Sequence, residues 1–155
     1  MDPIDRQLLA LLQHDGSLSA RELGERVGLT PGPAWRRVQQ LEQQGVIERR
    51  VALLDPRQVG IGLTALVHIR TNQHSAEWLA AFSDAIAERP EIVEALRTSG
   101  ETDYLLRVVV PDIAAYDAFY KQLIEQVDLY DVRTDFVMEE LKHTTELPLH
   151  FTAES

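Results

Sequence analysis

Apolar residues in the first forty positions recur at helical spacing. Ile4, Leu8, Leu11 and Leu12, with Leu9 beside them, predict a helix that ends near His14-Asp15-Gly16. Ser19 followed three residues on by Glu22 has the form of a capping box, a reciprocal pair that satisfies two orphan backbone donors. A second helix is therefore expected from about Ala20 to Val27, burying Leu23 and Val27 and broken by Gly28. Thr30-Pro31 restarts the pattern, with Thr as N-cap and Pro at the first helical position, where a missing N–H costs nothing. The third helix continues to about Gln44 with Ala34, Val38 and Leu41 inward, and Gly45 ends it.

From there the pattern changes. Val46–Leu53 reads as a strand, Asp55-Pro56-Arg57 as a turn and Gly60-Ile61-Gly62 as a flexible entry. Leu63–Arg70 is a strand with Leu63, Ala65, Val67 and Ile69 on one face. Ser75 caps a helix whose apolar face is Trp78, Leu79, Phe82 and Ile86. Val93–Thr98 and Tyr104–Val110 read as strands on either side of the Ser99–Asp103 loop. Ile113, Tyr116, Phe119, Tyr120, Leu123 and Val127 line another helix, and Val132–Leu141 is the last strand. The order βαββαβ is that of a ferredoxin-like domain, an antiparallel sheet with both helices on one face. On the other face Thr64, Leu66, His68 and Arg70 alternate with the helix-facing set, as do Leu105, Arg107 and Val109. A half-apolar uncovered face in so small a domain predicts dimerisation through the sheets.

The fold class is thus α+β. Residues 1–50 form a winged helix-turn-helix domain, 51–61 a strand and linker, 62–148 the βαββαβ domain and 149–155 a tail. Two short helices joined by a tight Gly-containing turn, with a helix ahead of them, make a helix-turn-helix, and the later helix would read the major groove. Its outward positions are Gly32, Pro33, Trp35, Arg36, Arg37, Gln39, Gln40 and Gln43. Arg and Gln pair bidentately with guanine and adenine edges. Thr30, Gly32 and Pro33 stand where the helix N-terminus would approach a phosphate. Arg49-Arg50 fits a small wing flanking the groove, or equally two solvated charges on an edge strand. An ordinary three-helix packing unit with a solvated polar face is the alternative to DNA binding.

A net charge of −10 has the wrong sign for such a role, until the chain is divided. Residues 1–50 hold seven Arg, no Lys and seven Asp or Glu, a balance of zero. Residues 51–155 hold eight Lys or Arg and eighteen Asp or Glu, which accounts for all of the −10. Net charge therefore leaves DNA binding open for the first segment, while the rest of the chain would repel a duplex.

Other chemistry finds little support. With no cysteine, disulfides, thiolate metal sites and a cysteine nucleophile are excluded. His14, His68, His74, His143 and His150 have no metal-ligand spacing. No Gly-x-Ser-x-Gly elbow is present, and Gly60-Ile61-Gly62 lacks the rest of a dinucleotide motif. No cofactor, metal or enzymatic activity is expected. No apolar run reaches membrane-spanning length and no basic leader opens the chain, so a cytoplasmic protein is expected.

LTPGPAWRRVQQLEQQGVIERRVALLDP, followed by GETDYLLRVVVPD and FVMEELKHTTELPL, resembles the Lrp/AsnC family of transcriptional regulators over about residues 2–148. The resemblance implies a homodimer, further assembly such as an octamer, and an amino-acid effector held between subunits. The matching effector positions are Leu96, Gly100, Thr102, Asp103 and Ile113, with Thr134, Asp135, Phe136 and Val137 from the last strand. A Gly-containing loop with free amides suits an α-carboxylate, Asp103 suits an α-ammonium, and Leu96, Ile113 and Phe136 suit a side-chain pocket. Asp103 is equally a common turn former. The segments GLTALVHI, HSAEW, AAYDAFYKQL and KHTTELPL further resemble the branch that senses L-cysteine and regulates desulfidase genes. Asp135 stands where many members have an uncharged residue; pointing into a pocket, it would favour a small polar effector. Against the regulator stands one other reading, an amino-acid-binding or small enzymatic ferredoxin-like module with a helical protein-interaction segment.

Overall fold

The computed structural model describes residues 1–151, so the last four residues of the expected tail lie outside the described residues. The chain divides into two units: residues 1–53 together with the C-terminal segment from Lys142, and residues Leu54–Leu141.

The first unit holds α1 (Pro3–His14), α2 (Ala20–Val27) and α3 (Pro31–Gln43). Their boundaries follow from local chemistry. Asp2 and Asp5 form a capping box at α1, and Ser19 and Glu22 form one at α2. Gly28 ends α2 in the left-handed conformation at φ 74°, where a glycine avoids the steric cost of a side chain. Leu8, Leu18, Leu23, Ala34 and Val38 make the core, with Leu29 and Ile47 packed against it. Gly24 is buried within α2, facing the turn, and a Cβ there would lie 2.6 Å from the Leu29 carbonyl oxygen. That close approach is what lets α2 turn so tightly into α3.

The expected strand at 46–53 does not form. Residues 48–55 carry no regular structure, and Val51, Leu53 and Leu54 are 65%, 71% and 69% exposed. The sequence there favours a strand, but a strand needs a neighbour to take its backbone groups, and this segment has no ladder partner among the described residues.

The segment around Leu147 is fastened to the end of α1. Gln13 clamps the backbone of Leu147: its Nε2 donates to the Leu147 carbonyl at 3.2 Å, and its Oε1 accepts from the Leu147 N–H at 2.7 Å. Beside it, His14 Nδ1 lies 3.2 Å from the Glu146 carboxylate. Leu149–Phe151 closes as a short 3-10 turn.

The second unit contains β1 (Leu63–Arg70), α4 (Ala76–Ala87), β2 (Ile92–Arg97), β3 (Tyr104–Val110), α5 (Ile113–Gln126) and β4 (Asp131–Phe136). The sheet is antiparallel, in the order β2-β3-β1-β4. This is the ferredoxin-like arrangement expected from the order of elements. Ala65, Val67, Ile69, Leu106, Val108 and Val110 form the helix-facing side and bury against Trp78, Phe82, Phe119 and Leu123. The Trp78 and Phe82 rings stack at 4.9 Å, and the Trp78 indole N–H donates to the Asp128 carbonyl at 2.8 Å.

Two details differ from expectation. β4 stops at Phe136 rather than Leu141, because its partner β1 begins at Leu63: Val137 N–H makes one more bond to Thr64 O at 2.9 Å, and the ladder then runs out. Leu79 and Ile113, expected on buried helix faces, are exposed. Leu79 lies about 100° around α4 from Trp78, off the inward stripe, and Ile113 opens α5.

Candidate nucleic-acid interface and effector region

At about 100° per residue, the buried Ala34–Val38–Leu41 line leaves Arg36, Gln39, Gln40 and Gln43 on the far side of α3. All four are exposed. Arg36 enters no ion pair among the described residues, so its fork remains available.

Arg37 is different. It sits about 60° from the buried line and turns toward α1. Its Nη1 donates to Asp2 Oδ2 at 2.5 Å and to Asp5 Oδ1 at 2.8 Å. The same two carboxylates make the α1 capping box with their remaining oxygens. The Asp5 backbone N–H, then Arg37, hold the Asp2 carboxyl below its ordinary range, and the carboxylates push the Arg37 guanidinium up. Sequence reasoning placed Arg37 on the outward face with Arg36; the structure gives it to the joint between α1 and α3. The Asp2-x-x-Asp5 spacing could have signalled a cap, but not its second use.

On the other flank, Arg50 Nη2 meets the Glu42 carboxylate at 2.8 Å, and its guanidinium lies 5.8 Å from the Trp35 ring centroid. Trp35 and Arg50 are thus tied to each other, while Arg49 is exposed. Thr30 holds the N-cap position, but its hydroxyl makes no capping bond and is exposed. Pro31 and Pro33 have no N–H, and Ala34 already bonds Thr30 O at 3.2 Å. Within that first turn only Gly32 therefore offers an open amide to a phosphate.

The effector positions do not meet within one chain. Leu96 is on β2 and Thr134, Asp135 and Phe136 are on β4, the two edges of the sheet. Three strand spacings separate them, about 14 Å. Thr134 and Phe136 face the helices: the Thr134 hydroxyl bonds the Tyr116 hydroxyl, and the Phe136 ring meets the Tyr116 ring edge-on at 5.2 Å. Burial raises the Tyr116 phenol pKa. Asp135 faces the open side, 3.1 Å from His68 Nε2. Ile113 is exposed at the start of α5.

The loop of Gly100, Thr102 and Asp103 is tied down. The Thr98 hydroxyl bonds the Thr102 carbonyl. Asp103 Oδ2 accepts from the Thr71 N–H at 2.8 Å, and Asp103 N–H donates to Ile69 O at 2.9 Å. Asp103 therefore acts as a turn former here. One of its oxygens and its amide are engaged, while Oδ1 accepts no hydrogen bond among the described residues.

The open face carries Leu66, His68, Leu105, Arg107 and Val109, with Arg107 3.5 Å from Glu94 and 3.8 Å from Glu140. Among the described residues no cluster could hold a metal ion, and no helix is long and apolar enough to cross a membrane.

Residues 1–48 match the family model described as winged helix-turn-helix DNA-binding, and residues 64–147 match the Lrp/AsnC ligand binding domain. The chain is 49% identical to the DNA-binding transcriptional activator DecR of Escherichia coli K12, covering 96% of this chain and 99% of that one. It is 46% identical to the glutamate uptake regulatory protein of Zymomonas mobilis, covering 99% and 94%. A crystal structure of a Neisseria meningitidis transcriptional regulator in complex with L-Met superposes with a TM-score of 0.93 at 36% identity, covering 97% of each chain.

Proposed function

For a chain that belongs to the Lrp/AsnC family, we propose a homodimeric sensor that couples one small amino acid to DNA affinity. The coarser function is plain: it is a DNA-binding transcriptional regulator with an amino-acid-binding domain. On our reading it works as a non-enzyme in the cytoplasm.

One observation carries this reading: the effector positions divide between opposite edges of one sheet. A second copy, stacked on the open face, supplies the missing edge and covers Leu66, Leu105 and Val109. The effector then sits where its binding depends on how two subunits meet. A ligand that binds one arrangement better than another shifts the population between them. Assembly beyond the dimer, up to an octamer, would multiply such joints.

For the effector we put L-cysteine first. The branch-level sequence segments and the similarity to DecR support it. The names of other relatives put glutamate and methionine next. With no cysteine in the chain, sensing cannot run through thiol–disulfide exchange. At the DNA we assign contacts to Thr30, Gly32, Pro33, Trp35, Arg36, Gln40 and Arg49, with Arg50 bracing Trp35.

Fluorescence-anisotropy titration of the duplex upstream of the protein's own gene, with and without L-cysteine, L-glutamate and L-methionine, tests both halves. Tight, salt-sensitive binding shifted by one amino acid is expected. Binding that no amino acid moves would overturn the sensor, and no binding to that duplex or to a random duplex pool would overturn the DNA reading.

A further inference from the structure

We infer that Arg37, clasped between Asp2 and Asp5, is a positioning residue that fixes the roll of α3 and so sets sequence discrimination, without itself contacting DNA. The inference rests on the DNA-binding reading above.

Three features of the clasp lead there. First, both carboxylates are fixed before Arg37 arrives. Asp2 Oδ1 accepts from the Asp5 N–H at 2.8 Å, and Asp5 Oδ2 accepts from the Asp2 N–H at 3.2 Å. Each carboxylate turns its other oxygen to the same Nη1. The anchor is thus part of the α1 N-terminus rather than a pair of loose side chains. Second, the charge of Arg37 is already met. Two carboxylates face its one guanidinium, so little of its field is left to draw a phosphate. Third, the clasp holds α3 at a point off its buried line. Ala34 and Val38 are small, and with Leu41 they form a narrow stripe along one line. A tie on the flank of that stripe resists rotation about the helix axis, as a side stay holds a mast.

Roll matters because base readout depends on direction. A bidentate Arg or Gln must meet a base edge in its plane. Phosphate contacts are far more tolerant and carry no sequence information. Loosening α3 should therefore weaken binding to a preferred duplex and leave binding to an arbitrary one nearly intact.

The test uses the full-length protein and two duplexes, the tightest one selected by the wild type from a random pool and a scrambled version of it. Asp2→Asn/Asp5→Asn keeps side chains able to cap α1 and leaves Arg37 in place. Arg37→Ala removes the other side of the clasp. Both variants are expected to lose about three- to tenfold on the selected duplex, about 0.7–1.4 kcal/mol, with little change on the scrambled one. Their salt slopes should match the wild type. If Arg37 instead contacts a phosphate, Arg37→Ala lowers affinity on both duplexes and shallows the slope by about 0.9. On that alternative Asp2→Asn/Asp5→Asn tightens binding, and either result overturns the inference. Equal losses on both duplexes with an unchanged slope would indicate partial unfolding and would also overturn it. If the wild type selects no duplex, it is the DNA-binding reading that fails.

Discussion

Thr134 and Asp135 are consecutive in β4 and serve opposite faces of the sheet: Thr134 bonds Tyr116 beneath the helices, while Asp135 pairs with His68 on the uncovered side at 3.1 Å. Alternation along a strand makes this unavoidable. Any partner laid on the open face meets Asp135 and His68 together with Leu66 and Leu105. Leu105 lies at the middle of that face, across from His68 on β1 and Leu96 on β2. Leu105→Glu would bury an unpaired carboxylate in the joint, a cost of about 3–5 kcal/mol. Light scattering on a sizing column should show the variant as a monomer, and a variant that keeps the wild-type mass would remove this face from the interface.

Arg36 is the exposed, unclaimed cation on α3. Arg36→Ala should cost about 1–3 kcal/mol on a preferred duplex if it reads a guanine, at unchanged thermal stability. Titrations on duplexes substituted one base pair at a time would locate the position whose discrimination is lost. Uniform affinity across the series for both proteins would refute a base contact.

Asp103 has two separable duties, and Asn distinguishes them. Asp103→Asn keeps an oxygen for the Thr71 N–H and loses the charge an α-ammonium needs. It should melt like the wild type and no longer respond to the effector. Asp103→Ala should also lose about 1–3 kcal/mol, because the Thr71 N–H is left without its partner. Isothermal titration with the responding amino acid, alongside thermal melts, reads both. Undiminished binding to Asp103→Asn would leave Asp103 only its turn.

Gly24 should tolerate no side chain. Gly24→Ala places a Cβ 2.6 Å from Leu29 O, a backbone atom that cannot swing away. Destabilisation of about 1–3 kcal/mol is expected, confined to the helical unit. Trp35, which belongs to that unit, and Trp78, which belongs to the other, can be followed separately by fluorescence after Trp→Phe substitution of one or the other. Coincident shifts of both would contradict the confinement.

Acid should weaken the helical unit by a definite route. The carboxyls of Asp2, Asp15 and Glu22 are all held below their ordinary pKa values, chiefly by the Asp5 N–H, the Ser17 hydroxyl and the Ser19 hydroxyl respectively. A carboxyl whose pKa falls on folding contributes stability above its unfolded pKa and loses it as pH drops through the folded one. Stability carried by these caps should be level from pH 7 to about 5 and decline below about pH 4. Urea melts of wild type and Glu22→Gln would converge at low pH; a constant gap between them would argue against the cap.

The helical unit was legible because its signals are local. Caps at Ser19, a left-handed Gly28 and a three-residue apolar stripe are each decided within one turn, so α2 and α3 fall where the sequence places them. The sheet was legible for the same reason, down to the span of β3. What escaped involves partners distant along the chain. Val46–Leu53 looks like a strand, but no sequence window says whether a neighbour is present to pair with it. β4 is cut short by where β1 begins, more than sixty residues earlier. Arg37 has the right wheel position for a flank and the right chemistry for DNA. Its partners Asp2 and Asp5 lie more than thirty residues earlier, beyond any local window. The effector positions illustrate the same limit at larger scale, since the chain brings Leu96 and Phe136 no nearer than opposite sheet edges.

The clamp of Gln13 on Leu147 has a consequence for the order in which the protein is made. The helices leave the ribosome before the sheet, yet the strap that fastens the end of α1 follows the sheet. Between those moments the whole sheet must be synthesised, a delay of several seconds at ordinary elongation rates, about 5–20 residues per second. During that time the end of α1 stands unstrapped. A nascent chain halted within the sheet would therefore display the helix-turn-helix without its fastening, and only one extended past Leu147 carries it fastened.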